Sequence, residues 1–156
     1  MKSFRIPFFA QFLIAMTATI TFAILFSVPK QELPLCGLAG ALEWVVYYAI
    51  VLKMKNVVLG SLTAAFVLTI FCRITAVLRQ NPATVYFLPG IFPLVPGAGI
   101  YYTAYYLIFG KKELFAAKGL ETFEIALAIV FGIIFGFSIP EALFHKREKN
   151  KKQEES

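Results

Sequence analysis

The stretch LPGIFPLVPGAGIYYTAYYLI, from Leu88 to Ile108, is apolar along most of its length, yet prolines and glycines interrupt it. The interruptions fall within its first twelve residues and are Pro89, Pro93, Pro96, Gly90, Gly97 and Gly99. Each proline removes a backbone hydrogen-bond donor, displaces the carbonyl four residues earlier and disfavours helical geometry in the residue before it. The pattern therefore excludes one regular helix and predicts extended backbone at Leu88, Phe92 and Val95.

The composition of the whole chain is that of an integral membrane protein. Of its 156 residues, 59% are hydrophobic and only 15% are charged, and no Asp is present. The mean hydropathy is +0.74, well above what a water-soluble fold needs. Irregular backbone at membrane depth is tolerated where it is buried in protein or lines a wet cavity, and broken helices are typical of transporter binding sites. The stretch therefore indicates a transport function.

The predicted fold class is all-α, a polytopic membrane protein with about five transmembrane helices of which the fourth is broken. The predicted spans are residues 7–28, 33–52, 57–78, 84–109 and 119–143, within a single transmembrane domain of residues 1–144. The first apolar run is too long for a signal sequence and lacks a cleavage site of small residues, so we expect a retained span.

The topology has one alternative, in which the fourth segment enters and leaves from one face as a hairpin hinged between Pro93 and Gly97. Five crossings is the favoured topology. With five crossings, Lys and Arg are evenly divided between the two sides and do not fix the orientation. A basic polar tail, residues 145–156, follows the last span. We interpret it as a cytoplasmic flank in the cell membrane and not as a nucleic-acid site.

Side chains suited to enzyme chemistry are scarce. The single histidine, His145, lies in the tail with no Cys, Ser or Asp placed to work with it, so a hydrolytic triad is excluded. Cys36 and Cys72 lie inside apolar segments and are expected to be core residues, not a disulfide or a metal site. No glycine-rich phosphate loop is present. We therefore expect no enzyme activity, no metal and no cofactor.

The helix that begins near Gly97 offers a candidate site for a substrate. Its first backbone donors are predicted to point into the gap that Pro93 and Pro96 leave. These donors belong to Gly97, Ala98, Gly99 and Ile100. A helix amino terminus attracts anions, and glycine lets a ligand approach the backbone closely. We predict that a substrate carboxylate binds there. The alternative is a kink whose freed groups are satisfied by neighbours or water.

Five hydroxyl side chains follow the break, on Tyr101, Tyr102, Thr103, Tyr105 and Tyr106. Tyr102 and Thr103 are close enough to it to offer hydroxyl groups to a polar solute. Tyr105 and Tyr106 lie further along and fit an interfacial aromatic belt.

Two ionisable side chains lie inside predicted spans. Glu43 is near the middle of the second span, where a carboxyl group is costly and is a functional candidate by default. We predict that it carries a proton or pairs with Arg73; a structural glutamate is the alternative. Arg73 lies near the end of the third span, where its long side chain can also reach the interface.

Small residues at helix-packing spacing occur in two spans, Gly37 with Ala41 and Gly132 with Gly136. Such pairs let helices approach closely in lipid, here within the chain or against another chain. Glu121 and Glu124 are expected in the first turns of span five, where acids favour the helix dipole.

Four segments of the chain resemble one known family. They are FAILFSVP (22–29), GLAGALEWVVYY (37–48), NPATVYFLPGIFPLVPGAGIYYTAYYLI (81–108) and GLETFEIALAIVFGI (119–133). They are similar to the carboxy-terminal half of the threonine/serine exporter (ThrE) family, which also occurs as a separate small subunit of the YjjB type. The core Pro93, Leu94, Val95, Pro96, Gly97 matches the family motif directly. Glu43 departs from it, since the family usually has a small residue before the tryptophan that corresponds to Trp44.

The resemblance implies secondary export of threonine and serine, driven by the proton gradient. In split systems a second membrane subunit corresponds to the amino-terminal half, and a YjjB-like pair is associated with succinate export. Because alternating access needs two packed units, five spans without a repeat predict such a partner or a homo-oligomer. Both solute classes carry a carboxylate. An amino acid also needs an anionic or carbonyl partner for its ammonium, whereas a dicarboxylate needs a second cation, for which Arg73 is the candidate. A membrane scaffold that only stabilises its partner is the hypothesis from another class.

Overall fold

The computed structural model describes residues 7–140, and this part of the chain is helical with no strand. Its six α-helices are α1 (Phe8–Leu25), α2 (Leu33–Met54), α3 (Val57–Arg79), α4 (Thr84–Ile91), α5 (Gly97–Ile108) and α6 (Lys112–Ser138). Four of them are long and apolar enough to cross a membrane, and α4 with α5 forms a bent pair that is long enough together. The prediction of an all-α, multi-pass membrane protein is confirmed.

Short polar links end one helix and begin the next. Asn56 begins α3 because its side-chain oxygen accepts a hydrogen bond from the Leu59 amide at 3.0 Å. Lys55 and Gln80 end α2 and α3 in the left-handed conformation, at φ 52° and 55°. Such residues satisfy the last carbonyls of a helix and turn the chain within a few residues. The links are therefore tight enough to keep consecutive helices adjacent.

The predicted break lies between α4 and α5. A short 3₁₀ turn, Phe92–Leu94, follows α4, and the axes on either side of the break bend by 52°. The prediction of extended backbone was right at Val95, whose ψ is 127°, and wrong at Leu88 and Phe92, which are helical. Pro89 lies inside α4, and the residues that follow it keep helical geometry up to the 3₁₀ turn. The break is thus confined to Val95 and Pro96.

Helices α3 and α6 pack in parallel. Gly132 of α6 contacts α3 near Ala65, and one turn later Gly136 contacts Thr69. Helices α4 and α3 are antiparallel, since Tyr86 at the start of α4 shares a core cluster with Cys72, whereas Leu94 after its end shares another with Ala64 and Ala65. The segment between α3 and α6 therefore returns the chain to the side on which α3 began. This geometry favours five crossings over a hairpin.

The last helix differs most from its predicted bounds. Helix α6 begins at Lys112 and ends at Ser138. The polar segment 110–118 was predicted as a loop, but most of it forms the first turns of this helix. Glu121 and Glu124 are consequently two to three turns inside α6, and the prediction that they lie in its first turns was wrong. Residues 141–143 of the predicted span and the whole basic tail lie outside the described residues.

Small residues allow close contacts within this chain. Gly37 on α2 lies against Ile20 and Met16 of α1, so a Cβ there would come within 3.0 Å of both side chains. Gly132 lies against the Leu62 carbonyl and Ala65 of α3. Both predicted small-residue pairs therefore contribute a glycine to packing within the chain.

The core of the helix bundle consists of two clusters. The first contains Cys36 and Cys72, both fully buried free thiols, as predicted for core residues. The second surrounds Leu94 and joins α3, α6 and the break. The first cluster fills the end of the bundle where α4 begins, and the second fills the end where it breaks.

A polar cluster joins two links, α1–α2 and α3–α4, at the end of the bundle remote from the break. The Glu32 carboxylate accepts hydrogen bonds from Arg79 Nε at 3.1 Å and Nη2 at 2.8 Å, and from the Tyr86 hydroxyl at 2.8 Å. Asn81 donates to the same hydroxyl at 3.2 Å. These bonds tie the α1–α2 link to the end of α3 and the start of α4.

Candidate functional site

A cavity of about 290 Å³ opens at the break between α4 and α5. Its wall includes five of the predicted site residues, Pro93, Pro96, Gly97, Ala98 and Gly99. The remaining lining comes from α2, α3, α6 and the break itself: Trp44, Tyr47, Val57, Ser61, Leu94, Val95, Lys118, Glu121, Thr122 and Ile125. The break therefore forms one wall of an open space between helices.

The backbone at Pro96 forms an inverse γ-turn. Pro96 has φ −76° and ψ 56°, and the Gly97 amide donates to the Val95 carbonyl at 2.7 Å. The Ile100 amide donates to the Pro96 carbonyl at 3.0 Å. Sequence reasoning treated both amides as open donors, and the structure satisfies them within the chain.

The amides of Ala98 and Gly99 remain as open donors. Within residues 7–140, neither has a hydrogen-bond acceptor, and both residues line the cavity. Two adjacent amides at a helix amino terminus carry part of the positive end of the helix dipole. The cavity can therefore accept an anionic group at this wall, through two donors and not through the four expected.

The two glycines of the first α5 turn have different surroundings. A Cβ added to Gly97 would meet no atom of residues 7–140 within 4 Å. A Cβ on Gly99 would collide with the Thr122 side chain on α6. Gly97 therefore leaves the cavity open, whereas Gly99 allows α5 to approach α6.

The charged side chains of the cavity are Lys118 and Glu121 on α6, which sequence reasoning missed as site residues. Lys118 Nζ lies 2.7 Å from Glu121 Oε2, and the two side chains are 34% and 52% exposed. They were assigned to a loop and to a helix start, respectively. A continuous α6 from Lys112 places them on one face, three residues apart, opposite the break. Lys111, the residue before this helix, provides no side-chain cap, so the local pattern contains little indication of the helix start.

The wall of the cavity that α2 forms is aromatic. The rings of Trp44 and Tyr47 on α2 lie 5.3 Å apart between centroids. Trp44 Nε1 donates to Gln11 Oε1 on α1 at 2.7 Å, which fixes the indole. The hydroxyls of Ser61 and Thr122 donate to carbonyls of their own helices, at 2.9 Å and 2.7 Å. These hydroxyls retain lone pairs with which to accept a hydrogen bond from a solute.

Two predicted site residues lie outside this cavity. Thr103 lines a separate, mostly apolar groove of about 600 Å³ between α5 and α6, and its hydroxyl donates to the Gly99 carbonyl at 2.7 Å. Tyr102 is 47% exposed and its ring stacks on Tyr106, with centroids 6.3 Å apart. The structure does not bring either hydroxyl to the open amides of Ala98 and Gly99.

Glu43 is fully buried on α2, beside the cavity wall. Neither carboxyl oxygen has a hydrogen-bond partner among the described residues. It follows Ala39 of the first core cluster by one turn and precedes Val46, which packs on the second. The next residue, Trp44, lines the cavity. An unpartnered carboxyl in such surroundings is rare in proteins and is stable there only in its uncharged form or with a counter-ion.

Arg73 does not bond to Glu43 but to the end of α6. Its Nη1 donates to the carbonyls of Gly136 at 2.8 Å, Phe137 at 3.2 Å and Ile139 at 2.6 Å. A cation at a helix carboxy terminus satisfies its last carbonyls and complements its dipole. Arg73 is 7% exposed and does not line the cavity. The hydrogen-bonded pair with Glu43 that the sequence allowed is not formed.

Comparison with known proteins identifies the family of this chain. Within the described residues no group of three or more His, Cys, Asp or Glu side chains could hold a metal ion. No curated protein and no solved structure matches the sequence. The family model described as threonine/serine exporter, ThrE, matches residues 11–139, which include all the cavity residues. With this match over most of its length, the chain belongs to the threonine/serine exporter (ThrE) family of membrane transporters.

Proposed function

We propose that this chain is a subunit of a secondary exporter that moves threonine and serine out of the cell, and that the cavity at the break binds the solute. The observation that carries the proposal is the pair of open amides on Ala98 and Gly99, which face a cavity within the region that matches the exporter family. A volume of about 290 Å³ lies at the small end of ligand sites and suits a small solute.

The solute carboxylate accepts hydrogen bonds from the Ala98 and Gly99 amides. Because Pro96 diverts the chain into a γ-turn, these amides have no carbonyl one turn earlier to bind, and a ligand supplies the missing acceptor. The open space at Gly97 lets the carboxylate reach them. Binding therefore uses backbone that the break has left without partners.

The proton gradient drives export, and Glu43 carries the proton. Within residues 7–140 its buried carboxyl has no hydrogen-bond partner, and the next residue, Trp44, lines the cavity. Loss of the proton leaves a charge among apolar neighbours, which favours a rearrangement that admits water or a cation. A rearrangement that moves α2 would also move its cavity-lining residues. Protonation of Glu43 would then control the shape of the cavity.

The transporter is completed by a second membrane subunit that corresponds to the amino-terminal half of the exporter, or by a second copy of this chain. Alternating access requires two units that move about a site. Among the described residues, helix α5 packs mainly against α6 and none of its residues is buried, so this part of the chain supplies no second layer of helices behind that wall. A single chain that transports after purification as a monomer would contradict this part of the proposal.

The decisive experiment measures efflux of labelled threonine, serine and succinate from cells that produce the chain with and without the product of the neighbouring gene. We expect efflux of both amino acids to require the chain. Gly97→Val should reduce that efflux at least tenfold, because its side chain fills the approach to the open amides. Gly97→Ala, with a single methyl group in open space, is the matched control for folding and should retain most activity.

Succinate efflux without amino-acid efflux would assign the chain to dicarboxylate export instead. If Gly97→Val transports normally while correctly inserted, the binding site is elsewhere. A chain that is needed only to keep its partner in the membrane, with every cavity variant active, would be a scaffold.

A further inference from the structure

We propose that Lys118 and Glu121 recognise the two charged groups of a zwitterionic α-amino acid. Glu121 binds the ammonium group, and Lys118 binds the carboxylate together with the amino terminus of α5. The proposal rests on the function proposed above and adds the basis of its selectivity. Its direct consequence is that the cavity prefers an α-amino acid to a dicarboxylate of similar size.

The charged pair and the open amides lie at the same cavity. Lys118 and Glu121 line the same cavity as Ala98 and Gly99, and Thr122, the residue after Glu121, contacts Gly99 across the α5–α6 interface. The charged pair therefore stands directly across from the open amides. A small solute held by its carboxylate at those amides has its α-ammonium within reach of α6.

The charges that line the cavity match those of a zwitterion better than those of a dicarboxylate. Among the described residues, the cavity combines the positive end of α5 and the Lys118 ammonium with one carboxylate, Glu121. A zwitterion finds a partner of opposite sign for each of its charges. A dicarboxylate brings a second negative group to a cavity that already contains Glu121, and like charges at short range repel. Arg73, the cation considered for a second carboxylate, is bound to the end of α6 and does not line the cavity.

The ion pair between Lys118 and Glu121 is weak enough for a substrate group to replace one of its partners. It joins residues three apart on one helix through a single contact, and both side chains are partly exposed. Pairs of this kind contribute little to stability. The substrate ammonium can therefore replace the Lys118 ammonium at Glu121, which leaves Lys118 to the substrate carboxylate. The Glu32–Arg79 pair, whose buried carboxylate accepts several hydrogen bonds, is unsuited to such exchange.

A matched control lies three residues further along the same helix. Glu124 is exposed, does not line the cavity and makes no hydrogen bond or ion pair among the described residues. Glu124→Gln removes the same charge from α6 as Glu121→Gln does. Only the second variant removes it from the cavity.

The test is equilibrium binding of threonine, serine, 3-hydroxybutyrate and succinate to the purified full-length protein, together with any subunit that accompanies it. 3-Hydroxybutyrate is threonine without its amino group. We expect Glu121→Gln to weaken threonine binding at least tenfold, to leave 3-hydroxybutyrate binding within about twofold, and to improve succinate binding relative to threonine. Glu124→Gln should bind all four solutes as the unmodified protein does.

A second variant guards against loss of folding. The exchanged pair Lys118→Glu with Glu121→Lys keeps an ion pair on α6 and should lose threonine binding to a similar degree. Unchanged threonine binding in a folded Glu121→Gln protein would overturn this inference and leave the exporter proposal intact. Failure of the unmodified protein to bind either amino acid would overturn both.

Discussion

At the scale of single residues, Gly97 and Gly99 are two positions apart and are glycine for different reasons. Space at Gly97 is open, whereas Gly99 is in contact with Thr122. A sequence pattern shows only that both lack side chains. It predicts a site without distinguishing the residue that a ligand approaches from the residue that packs a helix.

We expect Gly99→Ala to destabilise the protein by about 1–3 kcal/mol, the usual effect of overpacking a close contact. Gly97→Ala should change the unfolding free energy little. The measurement is unfolding in detergent, followed by helical circular dichroism. Thr122→Ala removes the colliding side chain, so the double variant with Gly99→Ala should recover most of the loss. An equal loss with and without Thr122 would show that the cause is not this contact.

Glu43 gives the second prediction at this scale. Glu43→Gln keeps the size of the side chain but cannot exchange a proton, so export should lose its dependence on a pH gradient. Efflux from vesicles with and without an imposed gradient measures this, with Glu124→Gln as the control. A Glu43→Gln protein whose export still responds to the gradient as the unmodified one does would remove Glu43 from the coupling mechanism.

The sequence marked Glu43 as a candidate site residue but did not mark the Lys118–Glu121 pair. The difference lies in how far the neighbours in sequence determine the environment of each residue. An ionisable residue in the middle of an apolar run is conspicuous because its environment is known from its neighbours in sequence. Lys118 and Glu121 occupy a polar stretch, where the environment is decided by α5 and not by adjacent residues. Their place in the cavity depends on α6 beginning at Lys112, a helix start with no capping signal.

At the scale of helices, Arg73 connects α3 to the end of α6. The predicted alternatives were a functional charge or a side chain reaching the interface. Instead its guanidinium donates to three carbonyls in the last turn of α6 and the residue after it. Pro140 follows directly and has no backbone amide to donate to the Gly136 carbonyl.

We expect Arg73→Leu to lower the unfolding free energy by about 2 kcal/mol or more, since hydrogen bonds from a charged donor are worth about 1.5–3 kcal/mol and the carbonyls lie in apolar surroundings. Arg73→Lys offers one compact donor in place of the planar guanidinium and should lose less. Unfolding in detergent measures both variants. Equal stability of the Leu variant and the unmodified protein would show that other groups satisfy the end of α6.

The order of the helices in space could not be predicted from their sequences. Hydropathy predicts spans, and prolines predict the break, because both depend on local chemistry. The spacing of Gly132 and Gly136 indicated a packing face, but the parallel contact depends on its match with Thr69 of α3, which no local pattern reveals. That contact is nevertheless what favours a crossing over a hairpin for α4 and α5.

At the scale of the whole molecule, the bundle is organised between two polar ends. The cavity opens where α4 breaks, and the Glu32 cluster closes the end where α4 begins. Between them lie two apolar clusters and the unpartnered Glu43. The Glu32 cluster therefore holds together the end of the bundle that lies away from the cavity.

The Glu32 cluster predicts a pH dependence of stability. Hydrogen bonds from Arg79, and then from Tyr86, hold the pKa of Glu32 below its ordinary value of 4.5 in spite of its burial. Because the folded-state pKa is lowered, the contribution of Glu32 is fully present above pH 4.5 and is lost as the pH falls through the folded-state value. Glu32→Gln should therefore melt at a lower temperature than the unmodified protein at neutral pH.

The difference in melting temperature between the two proteins should shrink only below pH 4.5, when protonation removes the same charge from the unmodified protein. Thermal unfolding in detergent over a series of pH values measures it, and Glu124→Gln controls for an exposed carboxyl on α6. A difference that stays constant down to about pH 3 would show that the Arg79 pair does not stabilise the fold. Since Glu32 joins the α1–α2 link to the end of α3 and the start of α4, its protonation should loosen three helices at once, and the melting transition should broaden as well as shift.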